Sequence, residues 1–392
     1  MDTFFYYILP VALLGLAFCE GLLLNDSTNS LQKDSKSKKF FFVSYAVICS
    51  FLFVMAAFRT YTGRDFEAYY DFFYDYNSAR TLYNNAFEFL YKKLNLIFYF
   101  IFKNYYIFQF AVAAFCMSFT FIHYKKNTVL PFLTLFLYFS ISAYFKLDLG
   151  FMRQSLAMAV LYIGYNFVKQ RKIVLWLLFV VIASLFHKTS VIALPLYFTH
   201  IYKGKWNIQI IVITFVVSIF IYLFGFDFIQ TITKSLINIS ALPAYLRAKM
   251  ESYIIIREQT KPVLNSGFGF LAEFACFAYI LFLYIIKSKK AKDNVYNSTI
   301  LNFLIFIVLN SVSHNFTNIY RLGYYFLIVG CGINLFSIFT ENESYEVIFE
   351  KIKISRGKKI IQYAIFALFL LYQLVLYYKS FVFVPYHSIL FR

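Results

Sequence analysis

The sequence predicts an all-α, polytopic integral membrane protein with about twelve membrane-crossing helices. Three observations predict it. Of 392 residues, 61% are hydrophobic and only 14% charged, against about 25% charged in soluble domains. Apolar runs of about 20 residues recur along the chain, the length that crosses a hydrocarbon core. Short basic loops separate them, as cytoplasmic loops do. At a mean hydropathy of +0.65 there is too little polar surface to cover a soluble core, so apolar surface faces lipid.

The spans fall at 4–24, 40–58, 105–124, 128–147, 154–168, 173–186, 189–202, 207–226, 267–286, 299–315, 320–339 and 360–379. The first lacks a basic flank and a small-x-small cleavage site, so it is expected to be retained, not cleaved as a signal peptide. The basic loops are Lys33 to Lys39, Lys125-Lys126, 169–172, 203–205, 287–292 and Lys351 to Lys359. Placing all six in the cytoplasm puts both termini outside. The loops at 169–172 and 203–205 then share a side, so the intervening segment crosses an even number of times. Two full spans do not fit there. The expectation for 173–202 is a hairpin of short helices with its apex at Phe186-His187-Lys188-Thr189.

Two long connections lie on the outer side of a single transmembrane domain, 1–392. Segment 59–104 carries Phe87, Leu90, Tyr91, Leu94, Ile97, Phe98 and Ile101 at helical spacing, which predicts an interfacial helix. Glu88 and Lys92, four apart, would form a helix-stabilising pair. Segment 227–266 is expected to hold short helices. The net charge of +18 follows from the basic loops, and no nucleic-acid motif accompanies it, so no nucleic-acid partner is expected. The 53 Phe and 35 Tyr suit lipid contact and the headgroup level. The five cysteines fall in apolar stretches without metal-ligand spacing and read as small hydrophobes.

Chemistry is expected where charge stands against this pattern. Arg59 closes the second span, Arg64 and Asp65 follow, Arg153 opens the fifth span after Asp148, and Arg321 opens the eleventh. Charges at span ends facing a cavity mark a substrate path. Several arginines on one cavity suit a pyrophosphate or other polyanion, because the guanidinium binds phosphate oxygens bidentately. Snorkelling to headgroups is the competing explanation for each. Candidate bases are Asp65, Glu88 and His187, with His314 a second choice. His187 serves equally well as a structural hydrogen-bond donor at a helix break. His123, His200 and His387 read as interfacial. No metal, nucleotide or cofactor motif is present, and Asp71 and Asp75 read as solvated charge.

The ordered motifs resemble a known family. FRTYTGRDFEAYYDFF (58–73) resembles the FR…TG.D…YY signature that follows the second span of the EpsG-like polysaccharide-synthesis proteins. The block from GFMRQSL to ASLFHKTSVIALPLYF (150–198) resembles that family's central region, where an arginine opens one span and a Phe-His pair breaks the next. YRLGYYF (320–326) and FVPY (383–386) fit as well, so the resemblance runs from about residue 40 to about 386. Segment 227–266 matches no motif and is expected to set substrate choice.

The family groups with the Wzy-type O-antigen and capsule polymerases. The resemblance therefore implies a GT-C-like membrane glycosyltransferase. Its substrates would be undecaprenyl-diphosphate-linked oligosaccharides, with the growing glycan passing from its lipid diphosphate to a new lipid-linked repeat. It implies no nucleotide sugar and no cofactor. It also implies a bacterial cytoplasmic (inner) membrane location, with the active site on the periplasmic or extracellular face. Membrane lipids, a chain-length regulator and a flippase of the pathway are the implied partners. On this basis Arg59, Arg64, Arg153 and Arg321 would hold the diphosphate. His187, Asp65 and Glu88 would be catalytic, and Tyr69, Tyr70, His314 and Arg247 would contact substrate. A flippase of lipid-linked oligosaccharide and an O-antigen ligase-like transferase are the alternatives, although a transporter's internal pseudo-symmetry is not visible here.

Overall fold

A computed structural model describes residues 8–26, 35–63, 65–74, 87–127, 131–140, 144, 147–201, 208–224, 228–239, 244, 247–248, 250–251, 254–255, 274, 278, 294–313, 320–330, 371 and 387–389. Arg64 and His314 lie outside the described residues, as do most of the expected spans at 267–286 and 360–379. Among the described residues the secondary structure is helical, with one isolated antiparallel bridge, Arg59 to Ser388. The chain groups into two compact units, Met1–Ile201 with Ile333–Arg392, and Tyr202–Gly332.

The first unit contains α1 (Leu9–Asp26), α2 (Ser35–Ala57), α3 (Phe66–Tyr74), α4 (Phe89–Phe102), α5 (Tyr105–Asn127), α6 (Pro131–Ser140), α7 (Met152–Lys169), α8 (Ile173–Phe186) and α9 (Leu196–Ile201). Among the described residues only α5 is long and apolar enough to cross a membrane by itself. Phe42–Ala57 and Ile173–Phe186 are shorter apolar helices. The expected count of about twelve spans rests on the hydropathy of the sequence.

Helix α7 is the hub. Its Ala, Leu and Met residues favour a helix, and Leu156, Ala157, Ala159, Val160, Leu161 and Tyr165 are buried against α5, α8 and α9. Gly164 sits where a Cβ would come 2.6 Å from Cβ of Phe179, so its lack of a side chain lets α8 approach. The helix ends in a left-handed turn without glycine. Arg171 takes φ 57°, its N–H donates to the Val168 carbonyl at 3.0 Å, and the Lys172 N–H donates to the Phe167 carbonyl at 2.9 Å. That double reverse bond satisfies carbonyls the helix end would leave open, and turns the chain into α8.

The segment after that turn folds as a bent hairpin. Helix α8 is apolar all round: Trp176, Val180 and Ala183 are buried while Val174, Leu178 and Val181 are exposed, as expected of a helix with one face toward lipid. It stops at His187, whose backbone is extended (φ −156°, ψ 112°) and whose N–H donates to the Ala183 carbonyl at 2.9 Å. A 3₁₀ turn over Lys188–Ala193 follows, then α9. The Tyr197 hydroxyl returns to the Arg171 carbonyl at 2.8 Å, which closes the hairpin on the turn where it began. A 14-residue helix out and a six-residue 3₁₀ turn plus a six-residue helix back match in length, at about 1.5 and 2.0 Å per residue.

Helix α4 forms where the 59–104 segment is expected to place one, and it packs on α3, α5 and α8. Its apolar residues are less one-sided than their spacing predicts. Tyr91 is buried, whereas Ile97, Phe100 and Ile101 are exposed. His123, expected to be interfacial, is buried in α5; its Nδ1 meets Asn127 Nδ2 at 2.9 Å and its ring lies 4.6 Å from that of Tyr162.

The second unit holds α10 (Ile208–Leu223), α11 (Phe228–Ile237) and α12 (Asn294–Ser313), with α10 and α11 packed on α12. The eleventh expected span begins differently from a regular α-helix. It opens as a 3₁₀ turn, Tyr320–Leu322, and then a π-turn, Tyr325–Val329, closed by the Gly330 N–H on the Tyr325 carbonyl at 3.0 Å. Asn302 of α12 donates to the Gly330 carbonyl at 2.7 Å, which absorbs an acceptor freed by that turn.

Candidate active site

Glu88 is the centre of the first unit's polar cluster. It precedes α4 with an extended backbone (φ −77°, ψ 159°), and its carboxylate does not cap its own helix. Instead it reaches two other elements. Oε2 accepts from Arg153 Nη1, at the start of α7, at 2.8 Å. Oε1 accepts the backbone N–H of Lys188 at 3.2 Å and lies 3.4 Å from His187 Nδ1, at the hairpin apex. The carboxylate expected to pair with Lys92 thus forms an ion pair with Arg153 and meets the His187 ring. Burial works against ionisation of Glu88, but the hydrogen bond from His187 and the charge of Arg153 outweigh it and hold the carboxyl down at about 2.

The network continues through α3. Arg153 stacks on the Phe87 ring, 4.5 Å from its centroid, and hydrogen-bonds the Tyr69 side chain. The Tyr69 hydroxyl lies 3.5 Å from Asp65 Oδ2. Burial raises the Tyr69 phenol, with the Arg153 charge opposing it. The polar contacts therefore run Asp65, Tyr69, Arg153, Glu88, His187, with Glu88 and Lys188 a hundred residues apart. Helix α3 is placed by an aromatic core of Phe66, Phe72, Phe73, Tyr91, Tyr105 and Phe108, which fixes Tyr69 toward Arg153. Tyr70, one residue on, packs on the edge of the same aromatic core. Its ring lies 4.8 Å from Tyr74 and 5.3 Å from Tyr105, and it remains partly exposed.

Arg59 stands apart from this network. It is buried, and Nη1 donates to the Ala56 carbonyl at the end of α2 at 2.7 Å. Among the described residues its Nε has no partner and no carboxylate lies within ion-pair distance. Gln109 of α5 holds the backbone here, donating to the Ala57 and Arg59 carbonyls at 2.8 and 2.9 Å. The loop is pinned further along by Gly63, at φ +100°, where a Cβ would sit 1.9 Å from the Leu149 carbonyl oxygen. This is the physical requirement for glycine at position 63.

Arg321 lies in the 3₁₀ turn of the second unit, packed on α12. Arg247, also in that unit, donates to the Ile239 carbonyl at 3.1 Å.

Several contributors carry no strong sequence signal. Asp148 is buried and bonded by the Tyr138 hydroxyl. Burial lifts its carboxyl to about 6, against the opposing influence of Tyr138, the Arg59 charge and Ser155. The stacking of Phe87, the Lys188 amide and the pairing of residues 387–389 with the Arg59 loop are likewise tertiary facts. A charged Asp in an apolar neighbourhood was the one available cue.

A strongly apolar helical chain with charged groups at its helix ends belongs to the class of membrane proteins. The family model of the EpsG family matches residues 42–388, and the chain belongs to that family, a family of Wzy-like polymerase-type membrane proteins of polysaccharide biosynthesis. No curated protein and no solved structure matches it.

Proposed function

We propose that this protein polymerises oligosaccharide repeats carried on a polyprenyl diphosphate, moving the growing glycan onto a new lipid-linked repeat at the outer face of the bacterial cytoplasmic membrane. The observation that carries this is the Glu88 carboxylate, which gathers Arg153 and His187 from separate elements of the fold into one polar cluster. Family membership supports the polymerase class.

In the proposed reaction the acceptor hydroxyl oxygen attacks C1 of the donor sugar. The C1–O bond to the diphosphate breaks, and its electron pair leaves with the diphosphate. His187 takes the hydroxyl proton on Nε2, with Glu88 orienting the ring from the Nδ1 side. A 3.4 Å contact is long for a hydrogen bond, but such contacts tighten when substrate binds. Because Glu88 and Tyr69 already engage Arg153, it orients the cluster, and Arg59 is the better cation for the leaving diphosphate. Arg64, Arg321, Arg247, Tyr69, Tyr70 and His314 are proposed as further substrate contacts, and Asp65 as an auxiliary base. A chain-length regulator and a flippase of the same pathway are proposed partners.

The test is incubation of purified protein with polyprenyl-diphosphate-linked repeats and no nucleotide, with product length read by gel electrophoresis. Elongation is expected. No elongation of a repeat from the native host would sink the polymerase reading, and movement of substrate across vesicles without elongation would replace it with a flippase. His187→Gln should lower the elongation rate by about a hundredfold or more while leaving the unfolding temperature unchanged.

A further inference from the structure

The segment His387–Ile389 returns from more than 300 residues away to pair with the Arg59 loop. The Thr60 N–H donates to the His387 carbonyl at 2.9 Å, and the Ile389 N–H donates to the Phe58 carbonyl at 3.0 Å. These bonds flank Arg59 and Ser388, which face each other as the non-hydrogen-bonded pair of an antiparallel bridge. In that geometry the two side chains project to the same side at close range. Ser388 Oγ donates to the Phe58 carbonyl at 2.9 Å, and the His387 N–H donates to Thr62 Oγ1 at 3.0 Å. Arg59 and Ser388 are 2% and 7% exposed, and Thr60 and Thr62 are buried with them.

The enclosed guanidinium is incompletely satisfied. Arg59 Nε, Gln109 Oε1 and the Tyr105 hydroxyl are all buried without a partner among the described residues. Gln109 bonds the Arg59 carbonyl, and Tyr105 lies in the field of the Arg59 charge. A buried cation without a carboxylate is costly, and an arriving anion would relieve that cost. The cover itself is a single bridge with a few hydrogen bonds, each weak in net terms because water replaces it on opening. Segments of this kind open locally without global unfolding.

We propose that residues 387–389 form a strap that closes over Arg59, and that displacing the strap opens the guanidinium to a phosphate or diphosphate group. The strap confers control of access: Arg59 is withheld until the segment moves. The choice of anion rests on the donor chemistry proposed above; the closure by the strap does not.

The test is phenylglyoxal labelling of arginines in detergent, with the site of modification read by mass spectrometry. It compares the full chain, a chain ending at Tyr386, and Ile389→Pro, which removes the N–H that bonds Phe58. Arg59 should be protected in the full chain and label at least about tenfold faster in the shortened chain, as expected for loss of a local closing equilibrium. Labelling of Arg153, held by Glu88, should stay the same in all three. Ile389→Pro should fall between the other two, and it carries the test if the shortened chain does not purify as a monodisperse species. Inorganic pyrophosphate should slow Arg59 labelling in the opened forms. Equal protection of Arg59 in all three chains would show that helix packing alone buries it, and fast labelling in the full chain would show that nothing closes it. Either result overturns the strap. Absence of pyrophosphate protection overturns the anion. Because no glycan is read, failure of the polymerase proposal would leave these outcomes intact.

Discussion

Two arginines of the first unit, Arg59 buried and Arg153 partly buried, are handled in opposite ways. Arg153 sits in a continuous network, with Glu88 on one side, the Tyr69 side chain on another and the Phe87 ring beneath. Arg59 bonds a helix-terminal carbonyl, keeps Nε unpartnered and has Asp148 near enough to feel its charge but beyond ion-pair distance. Position against the membrane does not separate the two, since both open or close an apolar run. The difference teaches that an arginine at a span end is not by itself a ligand site. A neutralised arginine orients its partners; an uncompensated one is the place for an incoming anion.

That contrast can be broken by substitution. The largest effect belongs to Glu88→Ala, which strips the partner from a partly buried cation. It should cost about 3 kcal/mol of stability, read from denaturant unfolding in micelles. A double-mutant cycle with Arg153→Met should show strong coupling. Additive effects of the two changes would mean that the ion pair does not hold the cluster together.

Next comes Gly63→Ala, which tests whether the Arg59 loop is anchored against the 147–150 turn. Its Cβ would be forced onto the Leu149 carbonyl oxygen in a left-handed backbone, at a cost of about 2 kcal/mol or more. Unchanged stability in the same unfolding measurement would mean that the loop is free to move off that turn.

Acid separates the two carboxyls that accompany these arginines. Glu88 titrates at about 2, below its ordinary 4.5. Its stabilising contribution is therefore present above about pH 4.5 and lost as pH falls toward 2. Asp148 is displaced the other way, from 3.8 to about 6. The folded state binds its proton more tightly, so that contribution is present below pH 3.8 and lost as pH rises through 6. Glu88→Gln should flatten the acid limb of the stability profile, and Asp148→Asn should remove the decline between pH 4 and 6. Identical profiles for the two variants would contradict the contrast.

The smallest effect is expected at Arg59 itself. Arg59→Met removes an uncompensated buried charge at the expense of one hydrogen bond, so stability should stay within about 1 kcal/mol of the parent. A loss as large as that of Glu88→Ala would mean that Arg59 is as fully partnered as Arg153.

Much of this architecture is visible in the chain. Apolar periodicity and length place α5, α7, α8 and α10 within about three residues of their observed ends, and α2 and α12 within about five. The parity of the basic loops requires a hairpin over 173–202, and the bend falls at His187 because the extended residue there ends α8. The candidate cluster is partly legible too. Asp65, Tyr69, Glu88, Arg153 and His187 stand out as polar groups near apolar spans, and all five meet. The role of Glu88 is not legible, because its spacing to Lys92 suggests a local pair and only packing offers it Arg153 instead. The role of residues 387–389 is equally hidden, since a single isolated bridge carries no periodic signal.

By itself, then, the sequence determined the helical class, the family and a set of polar residues at span ends, because hydropathy, loop charge and motif order are properties of neighbouring positions. Tertiary structure alone decided which charges pair. The contacts of Glu88 with Arg153 and Lys188 cross 65 and 100 residues, and the bridge from Ser388 to Arg59 joins positions more than 300 residues apart. Contacts of that range depend on how α3, α4, α7 and the hairpin pack together. That packing, rather than anything local to either arginine, neutralises Arg153 and leaves Arg59 uncompensated.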